Sequence, residues 1–115
     1  MKGIHLRFYT YENRKHGSVL MYEWLLEFAQ ARGIHGGSAF RAIAGFGRHG
    51  RMHEQHFFEL AGDVPVLVEF MADEAQAEAL IAALRAENVN LFYACLPADY
   101  GEINRPEPDL VSPAR

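Results

Sequence analysis

Cysteine is almost absent: Cys95 stands alone among 115 residues, so no disulfide can close within the chain. A domain of this length buries about two-thirds of the surface its unfolded form exposes, enough to fold without a disulfide or metal staple. Long hydrophobic runs are missing too. The longest nearly uncharged stretch, Val64–Ala72, is broken by Glu69 and is well short of the roughly 20 apolar residues of a membrane helix, so the chain is expected not to be membrane-embedded. Positive charge is in deficit, with 11 Lys and Arg against 15 Asp and Glu. That argues against a nucleic-acid partner, because phosphate-backbone binding needs clustered cations. No charged-then-apolar leader opens the sequence, and with the unpaired cysteine this sets a reducing, cytoplasmic location as the expectation. Proline is scarce before Pro97 and then recurs at Pro106, Pro108 and Pro113. A chain of this size fits one domain, so a two-domain enzyme with a cofactor lobe is not expected.

What is present alternates clearly. Gly3–Tyr11 sets Ile4, Leu6 and Phe8 against His5, Arg7 and Tyr9, the period of a strand with one apolar face. Polar turn residues Glu12–Gly17 follow, and helical spacing begins at Ser18, which reads as the helix cap. Met21, Leu25 and Phe28 form one stripe, flanked by Tyr22, Leu26 and Ala29, and Arg32-Gly33-Ile34 ends the helix. After Gly36-Gly37, with Ser38 also read as a turn residue, Ser38–Ala44 is the second strand. Gly45–Arg51 is too rich in glycine for a regular element and reads as a mobile loop, with a short strand at His56–Leu60 beyond it. Pro65–Met71 is the third strand. Asp73 caps a second helix with Gln76 as its capping-box partner, Ala77, Leu80, Ile81 and Leu84 continue it to about Asn88, and Leu91–Leu96 is a fourth strand closed by Pro97. Residues 1–97 make the domain. Residues 98–115 make a Pro-rich C-terminal tail, expected to be partly disordered.

The order strand, helix, strand, strand, helix, strand predicts an α+β fold, a ferredoxin-like βαββαβ sandwich. Its four-stranded antiparallel sheet has spatial order 4-1-3-2, with both helices on one face. The other face is left bare. Alternation assigns it Tyr9, Tyr93, Leu67 and Met71 beside Arg7, Glu69 and Arg41, too apolar to stay wet over its whole area, so a second copy of the chain is expected to cover it. Arg7 and Glu69, on neighbouring strands, are placed to pair across strands or across subunits as a structural ion pair.

Several of these residues form a recognisable set: Gly3-x-x-Leu6-Arg7-Phe8-Tyr9-Thr10, His16-Gly17, Gly33-Ile34-x-Gly36, Arg41-Ala42-Ile43-Ala44-Gly45-Phe46-Gly47, His53, Phe58-x-Leu60 and Asp63-Val64-Pro65-Val66. Together they resemble a bacterial and archaeal family known only as domain of unknown function one hundred and ninety, within the PII and CutA-like superfamily. The chain departs from that pattern at Ala42, where glycine is usual. The resemblance implies a PII-like homotrimer with an adenine nucleotide as ligand in intersubunit clefts, bound at the base of the loop between the second and third strands. It also implies a regulatory role, with a membrane transport protein as partner, since family members are often encoded beside transport genes. Arg41 and His53 enter the candidate ligand site through this resemblance.

The residues of the loop make a separate case for phosphate. Gly45 and Gly47 let successive backbone N–H groups turn inward as an anion nest, and Arg48 and Arg51 can fork onto phosphate oxygens. Phe46 is either a platform for a base or an anchor holding the loop on its sheet. The candidate ligand set is therefore Arg41, Gly45, Phe46, Gly47, Arg48, Arg51 and His53. His49, His53 and His56 fall close enough to suggest a metal, but their spacing matches no tetrahedral motif, so no metal site is assigned. Cys95 lies in an apolar strand as core or interface, where a thiolate is penalised, and no base is arranged beside any nucleophile, so a non-enzymatic regulator requiring no cofactor is expected. It would signal through the 45–56 loop. A CutA-like trimeric metal-binding protein is the alternative, and weak hydrolysis of the bound nucleotide a third reading.

Overall fold

The computed structural model describes residues 1–46, 52–54 and 64–106. Strand β1 (Lys2–Tyr11) lies inside the sheet, because its alternation gives it one face to bury: Leu6, Phe8 and Thr10 point into the core. It pairs antiparallel with β7 (Pro65–Ala72) on one side and with β8 (Phe92–Asp99) on the other. Strand β4 (Gly37–Arg41) pairs with the far edge of β7, giving the order β4-β7-β1-β8. Counting the four long strands along the chain, this is the 4-1-3-2 order read from the sequence.

Helices α1 (Met21–Ala31) and α2 (Glu74–Ala86) pack on the face carrying Leu6, Phe8, Val66, Val68 and Phe70, with Met21, Leu25, Phe28, Leu80 and Leu84 completing one core. The start of α2 follows the expected chemistry. Asp73 Oδ1 accepts from the Gln76 backbone N–H at 2.7 Å, and Gln76 Oε1 accepts from the Asp73 N–H at 3.1 Å. Such a cap stabilises a helix by about 1 kcal/mol. Gln76 Nε2 also donates to the Gly33 carbonyl at 3.1 Å, joining the start of α2 to the end of α1. There Gly33 takes a φ of 85°, and the Ile34 N–H reaches back to the Ala29 carbonyl, which drops Ile34 into the core.

The start of α1 differs from the sequence reading. Ser18 does not cap it: β2 (Lys15–His16) and β3 (Val19–Leu20) form a two-residue hairpin, and the helix begins after Leu20 with no side-chain cap. Gly17, at φ 65°, supplies the left-handed first position such a turn requires, and Ser18 is its second residue. The hairpin lies against α1 through His16, whose ring centroid is 4.0 Å from that of Trp24. Trp24 in turn stacks on Phe28, and the Arg32 guanidinium covers the Phe28 ring at 3.4 Å.

Three strand boundaries also shift. Strand β4 stops at Arg41 because β7 begins at Pro65: the Ala42 N–H bonds the Pro65 carbonyl at 2.9 Å, and the chain then leaves the sheet. Ser38 sits within β4 and is not a turn residue. Residues Ala44–Phe46, partly assigned to an irregular loop, are instead strand β5, paired with β6 (Met52–Glu54) in a separate ribbon. The fourth long strand does not close at Pro97 but runs to Asp99, because β8 is an edge strand and proline is tolerated where one side of the backbone has no neighbour. The strand expected at His56–Leu60 and the end of the tail lie outside the described residues.

Candidate functional site

Register decides which residues share the open face of the sheet, since directly opposed residues in an antiparallel pair project to the same side. Three rows cross it: Met71, His5 and Leu96; Ser38, Glu69, Arg7 and Ala94; Phe40, Leu67, Tyr9 and Phe92. Tyr9, Leu67, Met71, Arg7 and Glu69 are where alternation put them. Tyr93 and Arg41 are not. Tyr93 opposes Phe8 and lies on the helix side, its ring centroid 6.2 Å from that of Phe8 and its hydroxyl accepting from Arg85 Nη2 at 3.3 Å. Phe92-Tyr93-Ala94-Cys95-Leu96 carries apolar residues on both faces, so hydrophobicity alone cannot set its phase. Arg41 opposes Val66 on the helix side, leaving Phe40 to face outward at 50% exposure. Cys95 opposes Leu6 yet is exposed, since β8 is an edge that the helices do not cover in the single chain.

The middle of the open face is polar. Glu69 Oε2 accepts from His5 Nε2 at 2.9 Å, Arg7 stands directly opposite Glu69, and the Arg7 guanidinium lies 5.7 Å from the centre of the Tyr9 ring. Arg7 Nε is shielded from solvent and has no hydrogen-bond partner among the described residues. Around this centre Phe40, Met71, Phe92 and Leu96 are exposed, making an apolar margin.

The second locus is the base of the excursion between β4 and β7. Glu12, just past the end of β1, holds Arg41 by two contacts, Arg41 Nε to Oε2 at 2.7 Å and Arg41 Nη2 to Oε1 at 3.0 Å. Backbone bonds fix the same corner: the Glu12 N–H donates to the Val64 carbonyl at 2.7 Å, beside the bond from Ala42 to Pro65. Sequence reasoning assigned Glu12 to the turn and missed this pairing. The signal was its phase, since Glu12 continues the alternation of Thr10 to the same side of the sheet as Arg41.

Of the other candidate ligand residues, Gly45 opposes His53 and Phe46 opposes Met52 in the β5–β6 ribbon, and Phe46 is 68% exposed. Its ring is therefore not an anchor buried on the main sheet. Gly47, Arg48 and Arg51 lie outside the described residues, as do His49 and His56. No group of three or more His, Cys, Asp or Glu arranged to hold a metal occurs among the described residues. No helix among them is long and apolar enough to cross a membrane. At the other end of the sheet the Tyr100 N–H bonds the Met1 carbonyl at 2.8 Å, and burial, aided by the Asp73 carboxylate, pushes the Tyr100 phenol above its ordinary range.

Residues 3–90 match the model of the DUF190 family, described as an uncharacterized ACR. The chain is 31% identical over 86 residues to a UPF0166 protein of Aquifex aeolicus (strain VF5), spanning 75% of this chain and 82% of that one. Its fold is similar to CPII from Thiomonas intermedia K12 bound to ADP and bicarbonate, with a TM-score of 0.64, 17% identity and coverage of 89% of this chain and 91% of that chain. A structure of the same CPII, a nitrogen regulatory PII-like protein, bound to ADP, AMP and bicarbonate gives a TM-score of 0.65 at 16% identity with the same coverage. A putative PII-like signaling protein from Thermus thermophilus gives 0.57 at 12% identity, covering 85% of this chain and 88% of that one.

Proposed function

The chain belongs to the DUF190 family and has a PII-like fold, and from that premise we propose that it is a regulatory protein that binds an adenine nucleotide and carries no catalytic activity of its own. The observation carrying this reading is the position of Arg41. It stands where the chain leaves the sheet, next to the Gly45–Phe46 segment, in a fold shared with a protein whose structure holds ADP. Arg41, Gly45, Phe46, Gly47, Arg48, Arg51 and His53 form the ligand set, with the arginines on phosphate oxygens and the exposed Phe46 ring available to a base. Ligand contacts present only in one arrangement of residues 45–56 shift the population toward it, and a partner reading that segment, such as a membrane transport protein, senses the nucleotide.

The functional unit in this reading is a cytoplasmic homotrimer whose subunits meet through the open sheet face. Support comes from that face itself, an apolar margin around the Arg7, His5 and Glu69 centre with no covering element among the described residues. The domain in this reading is residues 1–97 with residues 98–115 as its Pro-rich tail, the first part of which is tied back to the sheet, since β8 runs to Asp99 and the Tyr100 N–H bonds the Met1 carbonyl.

Thermal unfolding of the purified protein with ADP, AMP, adenosine and divalent metals tests the reading, since a ligand at a hundred times its dissociation constant adds about 2.7 kcal/mol. Stabilisation by ADP without added metal is the expected result. Stabilisation by metals alone would replace this reading with a CutA-like one.

A further inference from the structure

We infer that Glu12 acts as an internal substitute for the anionic group of the ligand, occupying Arg41 until a phosphate displaces it. This rests on the reading that Arg41 belongs to the nucleotide site. The geometry is that of a fork: Nε and Nη2 of one guanidinium each meet a different oxygen of one carboxylate, at 2.7 and 3.0 Å. A phosphate presents two oxygens to the same pair of N–H donors in the same way. Glu12 therefore holds Arg41 in the form a phosphate requires while blocking it.

Two features make exchange feasible. Arg41 is more than half exposed and Glu12 about a third, so water screens their attraction and the pair is weak enough to be broken by a more highly charged competitor. Moreover, the corner does not depend on this pair to stay folded. The bonds from Glu12 N–H to Val64 and from Ala42 N–H to Pro65 join β1, β7 and the end of β4 through backbone alone. Releasing the Glu12 side chain leaves those bonds in place.

The consequence is selectivity by charge. A neutral nucleoside gains nothing by displacing a carboxylate from a guanidinium, whereas a phosphate ester replaces one anion by a stronger one. Displacement also frees a carboxylate beside the bound phosphates, which repel it, so the Glu12 side chain leaves Arg41 whenever the ligand is charged.

Calorimetric titration of the full chain with ADP and with adenosine tests this. Glu12→Gln is expected to tighten ADP about two- to fivefold, the range of an exposed ion pair, and to leave adenosine unchanged. The tightening should vanish in the Arg41→Gln background, which separates exchange at Arg41 from the general effect of removing a negative charge. Glu12→Ala should behave as Glu12→Gln and stands in for it if that variant does not fold. Unchanged or weaker ADP binding in both Glu12 variants, or tightening that persists without Arg41, overturns the exchange. Failure of the unsubstituted protein to bind ADP overturns the nucleotide reading, and this inference with it.

Discussion

His5 and Glu69 meet at 2.9 Å although they are not opposed in the sheet: Glu69 faces Arg7, and His5 faces Met71. The bond is diagonal. It gives the carboxylate to His5, at the centre of the face left open by the helices, whereas Arg7, opposed to Glu69 in register, makes no ion pair with it, contrary to the pairing expected from the sequence. Whatever covers that face must accept this arrangement whole.

If a second copy covers it, Glu69→Leu removes the anion and leaves Arg7 behind in a buried interface. An uncompensated charge there costs about 3–5 kcal/mol. Sedimentation should show the proposed trimer dissociating, while circular dichroism of the subunit stays unchanged. Equal loss of secondary structure and assembly would place Glu69 in the subunit's own folding.

Thr10 offers a test confined to the core. The residue is 4% exposed, opposite Val66, and its hydroxyl has no hydrogen-bond partner among the described residues. Thr10→Val keeps the shape and removes a desolvated polar group, so stability should rise by roughly 1 kcal/mol. The urea midpoint measures it, and a lower midpoint would mean that the hydroxyl is satisfied.

Tyr100 makes the fold sensitive to alkali. Its phenol is raised in the folded protein by burial and by Asp73, so the folded state holds the proton more tightly than the unfolded chain does. The stabilisation is complete below the unfolded value of about 10 and is lost as pH rises through the folded one. Tyr100→Phe should flatten the fall in melting temperature above that pH and change little at neutrality.

Arg48 lies outside the described residues, and in the proposed reading it forks onto phosphate oxygens. Arg48→Ala should weaken ADP far more than adenosine, because the lost contact is to charge and not to the base. Equal losses for both ligands, read by calorimetry, would remove Arg48 from the phosphate site.

Sheet order, the capping box at Asp73 and the Gly33 helix end were legible because each follows from a local rule: alternation, a side-chain cap, a left-handed residue. The phase of β8 was not, since Phe92, Tyr93 and Leu96 offer apolar groups to both faces. The hairpin at Gly17 was hidden for another reason. Val19 and Leu20 continue the apolar spacing of α1 backward, so a helix beginning at Ser18 and a strand ending at Leu20 have the same pattern. At the candidate site the glycines and arginines stood out by composition, whereas the partnership of Glu12 with Arg41 depends on register across an intervening strand, which short-range spacing does not encode.

Trp24 is the only tryptophan in the chain, and it stacks on His16. Its fluorescence therefore reports one place, the seating of the β2–β3 hairpin on α1, and a charged imidazole in contact with the indole will dim it. The hairpin is reached from Glu12 by a few residues, with the Arg14 carbonyl accepting from the Met21 N–H at 2.7 Å at its foot. If the Glu12 side chain leaves Arg41 as inferred, the displacement lies a short covalent path from an intrinsic optical probe, and a change of tryptophan emission on adding ADP is the expected readout in the unlabelled protein.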